Sequence, residues 1–311
     1  MTDTAILVRT HYLDEELRRL ILSLADSTPH PVYALVDESL RPVEFGSIPK
    51  ISLGPGLAGE LGLYDGADRL YWRCGDYGLY AARRALPQVE RFWMIEPDVR
   101  LRLDRPGGFF DRFAAVPADL IVTNLRPAEP SWDWGKTMDD GEPVWRCLFP
   151  LLRVTARALD VLLPARRAFA ARFVAAGADP QFWPNDEVFT ATTLMRAGFD
   201  CRDLNAAGPN SGPESGPESG PDSGQVYDPA TFGYWWPLSD RQVAETGREG
   251  FAYHPVLNGD RYFQKLFHLA VRLNDFAALE GAIEALVGVE WDEAKAAHYR
   301  QAVAMARSCA T

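Results

Sequence analysis

Short apolar runs and amphipathic stretches alternate from the first residues of the chain. Ala5-Ile6-Leu7-Val8 is a continuous apolar run closed by Arg9 and Thr10, the pattern of a strand covered on both faces, as parallel sheets require. Asp14 follows as a helix N-cap, with Glu15 and Glu16 in the first turn and Leu17, Leu20, Ile21 and Leu24 on one helical face. Pro31-Val32-Tyr33-Ala34-Leu35-Val36-Asp37 reads as a second strand ending in an acid. Strand, helix and strand in this order form a βαβ opening. A loop-rich stretch runs to about Arg73, then a helix from Tyr77 to Leu86 leads into a strand over Phe92–Asp98. Asp119–Asn124 and Cys147–Val154 are further strand candidates, and helices are expected over Ala156–Ala175 and Asp186–Arg196. Phe263, Leu266, Phe267, Ala270 and Val271 mark a later amphipathic helix, with two more helices after it. The pattern predicts an α/β protein with a mostly parallel central sheet flanked by helices and a C-terminal helical cap.

One segment breaks the pattern. Gly208 to Gly224 carries Gly-Pro-Glu-Ser-Gly-Pro-Glu-Ser-Gly-Pro-Asp-Ser-Gly, a tandem repeat with almost no apolar side chain. It cannot bury enough surface to offset its chain entropy, so 206–225 is expected to be a disordered loop inserted into the surface. The expected division is one large domain over 1–258 and a helical extension over 259–311.

Composition narrows the partners. The chain has 311 residues, 47% of them hydrophobic and 24% charged, with a formal net charge of −11. Such an acidic balance argues against nucleic acid or an anionic membrane as the main partner, although Arg9, Arg73, Arg83 and Arg84 offer a local basic cluster for phosphates. Cys74, Cys147, Cys201 and Cys309 are scattered without a C-x-x-C spacing, which reads as free thiols in a reducing compartment. No run reaches the length of a membrane span and the start is not a signal peptide, so the expected location is the cytoplasm.

The chemistry concentrates in Phe92-Trp93-Met94-Ile95-Glu96-Pro97-Asp98-Val99. On a strand, Glu96 and Asp98 point the same way, and Pro97 both favours an extended Glu96 and ends the ladder. Two acids at the carboxyl end of a buried strand lie where open α/β sheets place ligands. Hard oxygen donors there suit Mg²⁺ or Mn²⁺ with phosphates. Asn185-Asp186-Glu187 opens a helix. Asn is a good N-cap and acids favour the first turn, and either acid can also serve as a general base. Gly54-Pro55-Gly56-Leu57-Ala58-Gly59 matches G-x-G-x-x-G but does not sit at the first strand-to-helix turn, so it is read as a surface turn. Trp132, Trp134, Trp145, Trp183, Trp235 and Trp236 fall in polar loops, as stacking platforms for sugar rings or as a small satellite core.

These residues together resemble glycosyltransferases of the GT-A fold, the nucleotide-sugar-dependent class. In that family a βαβ nucleotide-binding half leads to a strand ending in an Asp-x-Asp type motif that holds a divalent metal and the sugar-nucleotide diphosphate. Phe92–Asp98 matches it with Glu96 in the first position, and the resemblance spans roughly residues 5 to 256. It implies a GT-A-like, Rossmann-like sheet and a divalent Mn²⁺ or Mg²⁺ on Asp98, with the late histidine His254 completing the shell. It further implies nucleotide-sugar contacts from Thr10, His11, Asp37, Arg73, Asp76 and Glu96. Asp186 or Glu187 would be the base of an inverting enzyme or would position the acceptor in a retaining one. The implied activity is transfer of a sugar from a nucleotide-sugar donor to a hydroxyl of a carbohydrate or other acceptor. Because Glu is one methylene longer than Asp, Glu96 can instead reach ribose or water. A second reading is a non-catalytic carbohydrate or nucleotide-sugar binding protein on a decayed GT-A fold. A hydrolase of another class lacks its G-x-S-x-G elbow here.

Overall fold

The apolar run that opens the chain becomes β1 (Thr4–Thr10), an inner strand of a seven-stranded sheet. The computed structural model describes residues 3–207, 225–287 and 291–310. The Gly-Pro-Glu-Ser repeat and the loop expected over it therefore lie almost wholly outside the described residues. The chain divides into two compact units, Met1–Pro97 with Leu103–Val226, and Asp98–Arg102 with Tyr227–Thr311.

The first unit is the sheet and its helices. After β1 comes α1 (Glu15–Ser27), capped by Asp14, whose Oδ1 accepts from the Leu17 N–H at 2.8 Å. Leu17, Ile21 and Leu24 are its buried face. Then follow β2 (Val32–Asp37), β3 (Lys50–Leu53), single turns α2 (Leu57–Glu60) and α3 (Leu70–Arg73), and α4 (Gly75–Ala85). Next come β4 (Arg91–Ile95), the short β5 (Arg100–Leu101, in the second unit), α5 (Gly108–Asp111), β6 (Leu120–Pro127), β7 (Trp145–Thr155), α6 (Ala156–Ala175), α7 (Asp186–Arg196) and β8 (Cys201–Asp203). Strands run in the order β3-β2-β1-β4-β7-β6-β8. β1 to β4 are mutually parallel, β7 is antiparallel to both β4 and β6, and β8 is parallel to β6. The sheet is thus mostly parallel, as the continuous apolar runs required.

Two local expectations are corrected. The stretch read as loop between Asp37 and Arg73 contains β3, whose Ile51 and Leu53 face inward while Lys50 and Ser52 face out. Two apolar positions are too few to stand out in a sequence. Second, β4 ends at Ile95, and Pro97 and Asp98 lie in a turn. Glu96 and Asp98 are not same-face neighbours on a strand, because the proline ended the ladder earlier than expected.

One face of the sheet packs the aromatic cluster Trp93, Phe109, Phe110 and Phe113, with ring centroids 5.1–6.1 Å from that of Trp93. Arg153, buried on β7, donates to the carbonyls of Phe113, Val116 and Ala118 and so ties the loop after α5 to the sheet. The other face carries α4, α6 and α7. Between them Arg166 and Asp76, both with fully buried side chains, form an ion pair at 2.9 Å.

In the second unit β5 pairs antiparallel with β9 (Ala252–Tyr253), following α8 (Asp240–Thr246) with its Ser239–Gln242 capping box. Three helices close the chain: α9 (Gly259–Leu273), α10 (Ala277–Leu286) and α11 (Glu293–Ala310). They pack around Phe263, Leu266, Leu279, Ile283, Trp291 and Val303. Val271, placed by its spacing on the apolar face of α9, is 48% exposed. Among the described residues no helix is long and apolar enough to cross a membrane.

Candidate functional site

The chain lays down β1, β2 and β3 outward to one side and then returns to place β4 on the other flank of β1. Where strand order reverses in this way, the connections leave in opposite directions and open a crevice at the carboxyl ends of the two strands. Arg9 stands at the end of β1 and Glu96 directly after β4. Arg9 Nη1 donates to Glu96 Oε1 at 2.9 Å and lies 3.6 Å from Asp186 Oδ2. Its Nη2 donates to the carbonyl oxygens of Tyr71 and Trp72. One arginine therefore joins β1, the end of β4, the α3 turn and the start of α7.

The start of α7 is built around three polar residues. Asn185 caps the helix, its Oδ1 accepting from the Val188 N–H at 3.1 Å, while its Nδ2 donates to Glu187 Oε2 at 3.2 Å. Asp186 uses both oxygens, Oδ2 for the Gly75 N–H at 2.8 Å and Oδ1 for the Glu187 N–H at 2.9 Å. Burial pushes the Asp186 carboxyl well above the usual carboxylate range. Arg9 opposes this, the like charges of Glu187 and Asp76 add to it, and the Gly75 N–H opposes it again. Gly75 makes the arrangement possible, since a Cβ there would stand 2.5 Å from Arg9 Nη1 and 2.6 Å from Asp186 Oδ2.

In the second unit, Asp98 Oδ1 and His254 Nε2 are 3.5 Å apart. The Asp98 carbonyl accepts from the Val256 N–H at 2.7 Å, which fixes the segment carrying one residue against the segment carrying the other. The rings of Phe232 and Tyr234 flank the imidazole at 5.3 and 5.4 Å. Burial alone would raise the Asp98 carboxyl, but the His254 charge and hydrogen bond outweigh it and hold the group below its usual value. A carboxylate oxygen and an imidazole nitrogen at this separation fit one divalent cation. Two donors each about 2.1 Å from an ion stand about 3 to 3.5 Å apart. Asp98 and His254 are thus a chemically suitable donor pair for the metal that the resemblance implies.

Thr10 is buried, its hydroxyl bonded to the Tyr12 backbone, and His11 is exposed beside it. Asp37 ends β2 and caps the following turn by accepting from the Ser39 N–H at 3.0 Å. Arg73 and Asp76 are placed in the interior instead of at the crevice. Arg73 donates to the carbonyls of Gln181 and Trp183 under the Trp134 ring, and Asp76 pairs with Arg166 while accepting from Tyr80. The expected basic cluster is not a patch. Arg83 pairs with Asp160 and Arg84 with Glu60, and Arg9 and Arg73 serve as just described. Of the tryptophans, Trp183 is fully buried, whereas Trp235 and Trp236 are about half exposed.

Sequence reasoning passed over Gly75 and Trp72. Trp72 is 60% exposed, on the turn whose carbonyl holds Arg9. The signal for Arg9 was present, a lone cation closing an apolar strand. Gly75 gave none, since nothing in Cys74-Gly75-Asp76 tells which side chains crowd it. Comparison with known proteins found no family model that matches the chain and no curated protein that matches it.

Proposed function

We propose that the chain is a glycosyltransferase that moves a sugar from a nucleotide-diphosphate donor to an acceptor hydroxyl with help from a divalent cation. The observation that carries this reading is that β4 lies beside β1 at the reversal of strand order, with Glu96 directly after the strand and Asp98, two residues further along the chain, paired to His254. Asp98 and His254 would hold Mn²⁺ or Mg²⁺, which when bound neutralises charge on a departing diphosphate. Glu187, oriented by the Asn185 amide, would take the acceptor proton if the sugar is inverted, or position the acceptor if it is retained. Asp186 supports Glu187 instead of acting beside it, since both its oxygens already hold backbone N–H groups. Thr10, His11 and Asp37 lie at or near the carboxyl ends of β1 and β2, on the side where a nucleotide would enter.

The decisive experiment is thermal unfolding with a panel of nucleoside diphosphates, with and without Mn²⁺, on wild type and Asp98→Ala, paired with an assay for nucleotide release from sugar nucleotides. A ligand at about 100 times its dissociation constant adds about 2.7 kcal/mol, a shift of several degrees for a unit of this size. A Mn²⁺-dependent shift that Asp98→Ala abolishes supports the site, and no shift with any nucleotide sinks the reading. A second reading draws on one observation, that the Glu96 carboxylate is engaged by Arg9 at 2.9 Å. That arrangement suits a protein which binds a nucleotide sugar without turning it over, and binding with no product release would establish it.

A further inference from the structure

The second unit contains a cavity of about 690 Å³ between the residues leading into α8, that helix, and the helices α9 and α10. Its volume is within the range of about 300–1,000 Å³ typical of small-molecule sites. We propose that it binds a neutral saccharide, with the Trp236 indole as the stacking face and Gln242, Tyr262 and Glu284 as hydroxyl partners. This holds whether or not the chain transfers sugars.

The lining selects that ligand class. Trp236 borders the cavity and is 48% exposed as a residue, and its indole is an apolar plane of the kind that takes the C–H face of a pyranose. Around it stand planar polar groups. Tyr262 is buried and donates its hydroxyl to Gln242 Oε1 at 3.2 Å, which also accepts from the Ser239 N–H at 2.8 Å. Those bonds fix the phenol and the amide before any ligand arrives, and preformed partners lower the ordering cost of binding. The charged members of the lining are already neutralised. Arg241 pairs with Glu245 at 2.7 Å, and Glu284 pairs with Arg300 at 2.8 Å. A phosphate or uronate would need an uncommitted cation, and a basic peptide would need uncommitted carboxylates. A polyol needs neither, because hydroxyls donate to carboxylates that remain paired. Trp235, next in the chain, is covered by the Arg272 guanidinium at 4.5 Å and does not line the cavity.

The test is calorimetric titration of the intact chain, in buffer without nucleotide or metal, with hexasaccharides of β-1,4-glucan, β-1,4-xylan, chitin and α-1,4-glucan, and with a lysine-rich peptide. At least one saccharide is expected to bind in the sub-millimolar range. Trp236→Ala should weaken that binding about tenfold or more, as truncating a central aromatic does, while Trp235→Ala leaves it unchanged. Equal thermal midpoints for both variants and wild type keep the comparison clear of misfolding, and Glu284→Gln supplies a milder second variant expected to weaken binding in the same direction. The proposal is overturned if no saccharide binds at millimolar concentration, if Trp236→Ala and Glu284→Gln both bind as wild type does, or if the peptide alone binds. Because nucleotide and metal are absent, a negative result for sugar transfer leaves this outcome standing.

Discussion

Gly75 lacks a side chain because Arg9 and Asp186 occupy the space one would take. A Cβ would come within 2.5 Å of Arg9 Nη1 and 2.6 Å of Asp186 Oδ2, so Gly75→Ala must push the guanidinium off Glu96 or the carboxylate off the Gly75 N–H. The expected cost is about 1–3 kcal/mol of stability, read as a lowered midpoint in calorimetry, with a larger proportional loss in any donor turnover. An unchanged midpoint would mean that the Arg9 contacts bear no load. Asp186 gives a prediction of definite sign. Its folded-state carboxyl is raised above the ordinary 3.8, chiefly by burial, so the folded state keeps a proton that the unfolded chain has lost. Stability from this group therefore falls as pH rises from about 4 through the raised folded value. Asp186→Asn cannot ionise, so the variant should gain on wild type as pH increases across that window, and parallel curves would refute the raised value. At this scale the sequence was partly legible. The Asn-Asp-Glu helix start and Asp98 were marked by residue type and spacing, whereas His254 was reached only through the resemblance, since a lone histidine beside a proline carries no signal of its own. Arg73 and Asp76 misled, because a buried arginine or aspartate looks like an exposed one until its partner, Arg166 or a carbonyl far along the chain, is known.

Between elements, the α4–α6–α7 layer is held by one buried charge pair inside an aromatic box. Arg166 lies over the rings of Phe189 at 4.0 Å, Trp183 at 4.9 Å and Tyr77 at 5.6 Å, while its guanidinium meets Asp76 at 2.9 Å. Removing one member leaves an uncompensated buried charge, so Arg166→Met should cost about 3–5 kcal/mol. The double variant Asp76→Leu with Arg166→Met should recover most of that loss, since an apolar pair of similar volume has no charge to desolvate. Denaturant midpoints for the singles and the double form the cycle that checks it, and a purely additive double would place the pair's role elsewhere. Helix and strand positions were readable because their apolar periods are long: α6 and α7 begin and end where the pattern put them. β3 escaped notice for the opposite reason. The antiparallel direction of β7 was also out of reach, since a run buried on both faces looks alike in either direction.

Over the whole molecule, the net charge of −11 makes the nucleoside diphosphate binding proposed above a meeting of like charges. Arg83 and Arg84, the cations expected to offset it, are committed to Asp160 and Glu60, and Arg73 is turned to backbone carbonyls inside the first unit. The long-range term is therefore repulsive, and salt screens it, because the Debye length falls from about 14 Å at 0.05 M to about 6 Å at 0.3 M. In metal-free buffer, affinity for a nucleoside diphosphate should rise by about twofold or more across that range of salt. This reverses the trend of proteins that capture phosphates with basic patches. Adding Mn²⁺ supplies the missing positive charge at short range, where screening acts least, so the metal-loaded affinity should be higher throughout and vary less with salt. Equilibrium titrations at a series of chloride concentrations, with and without Mn²⁺, measure both slopes. A metal-free affinity that falls with salt would locate an uncommitted cation at the nucleotide site and make the acidic surface irrelevant to it. The rise, joined to a Mn²⁺-loaded curve that stays nearly flat, would tie the acidic composition to a requirement for the cation.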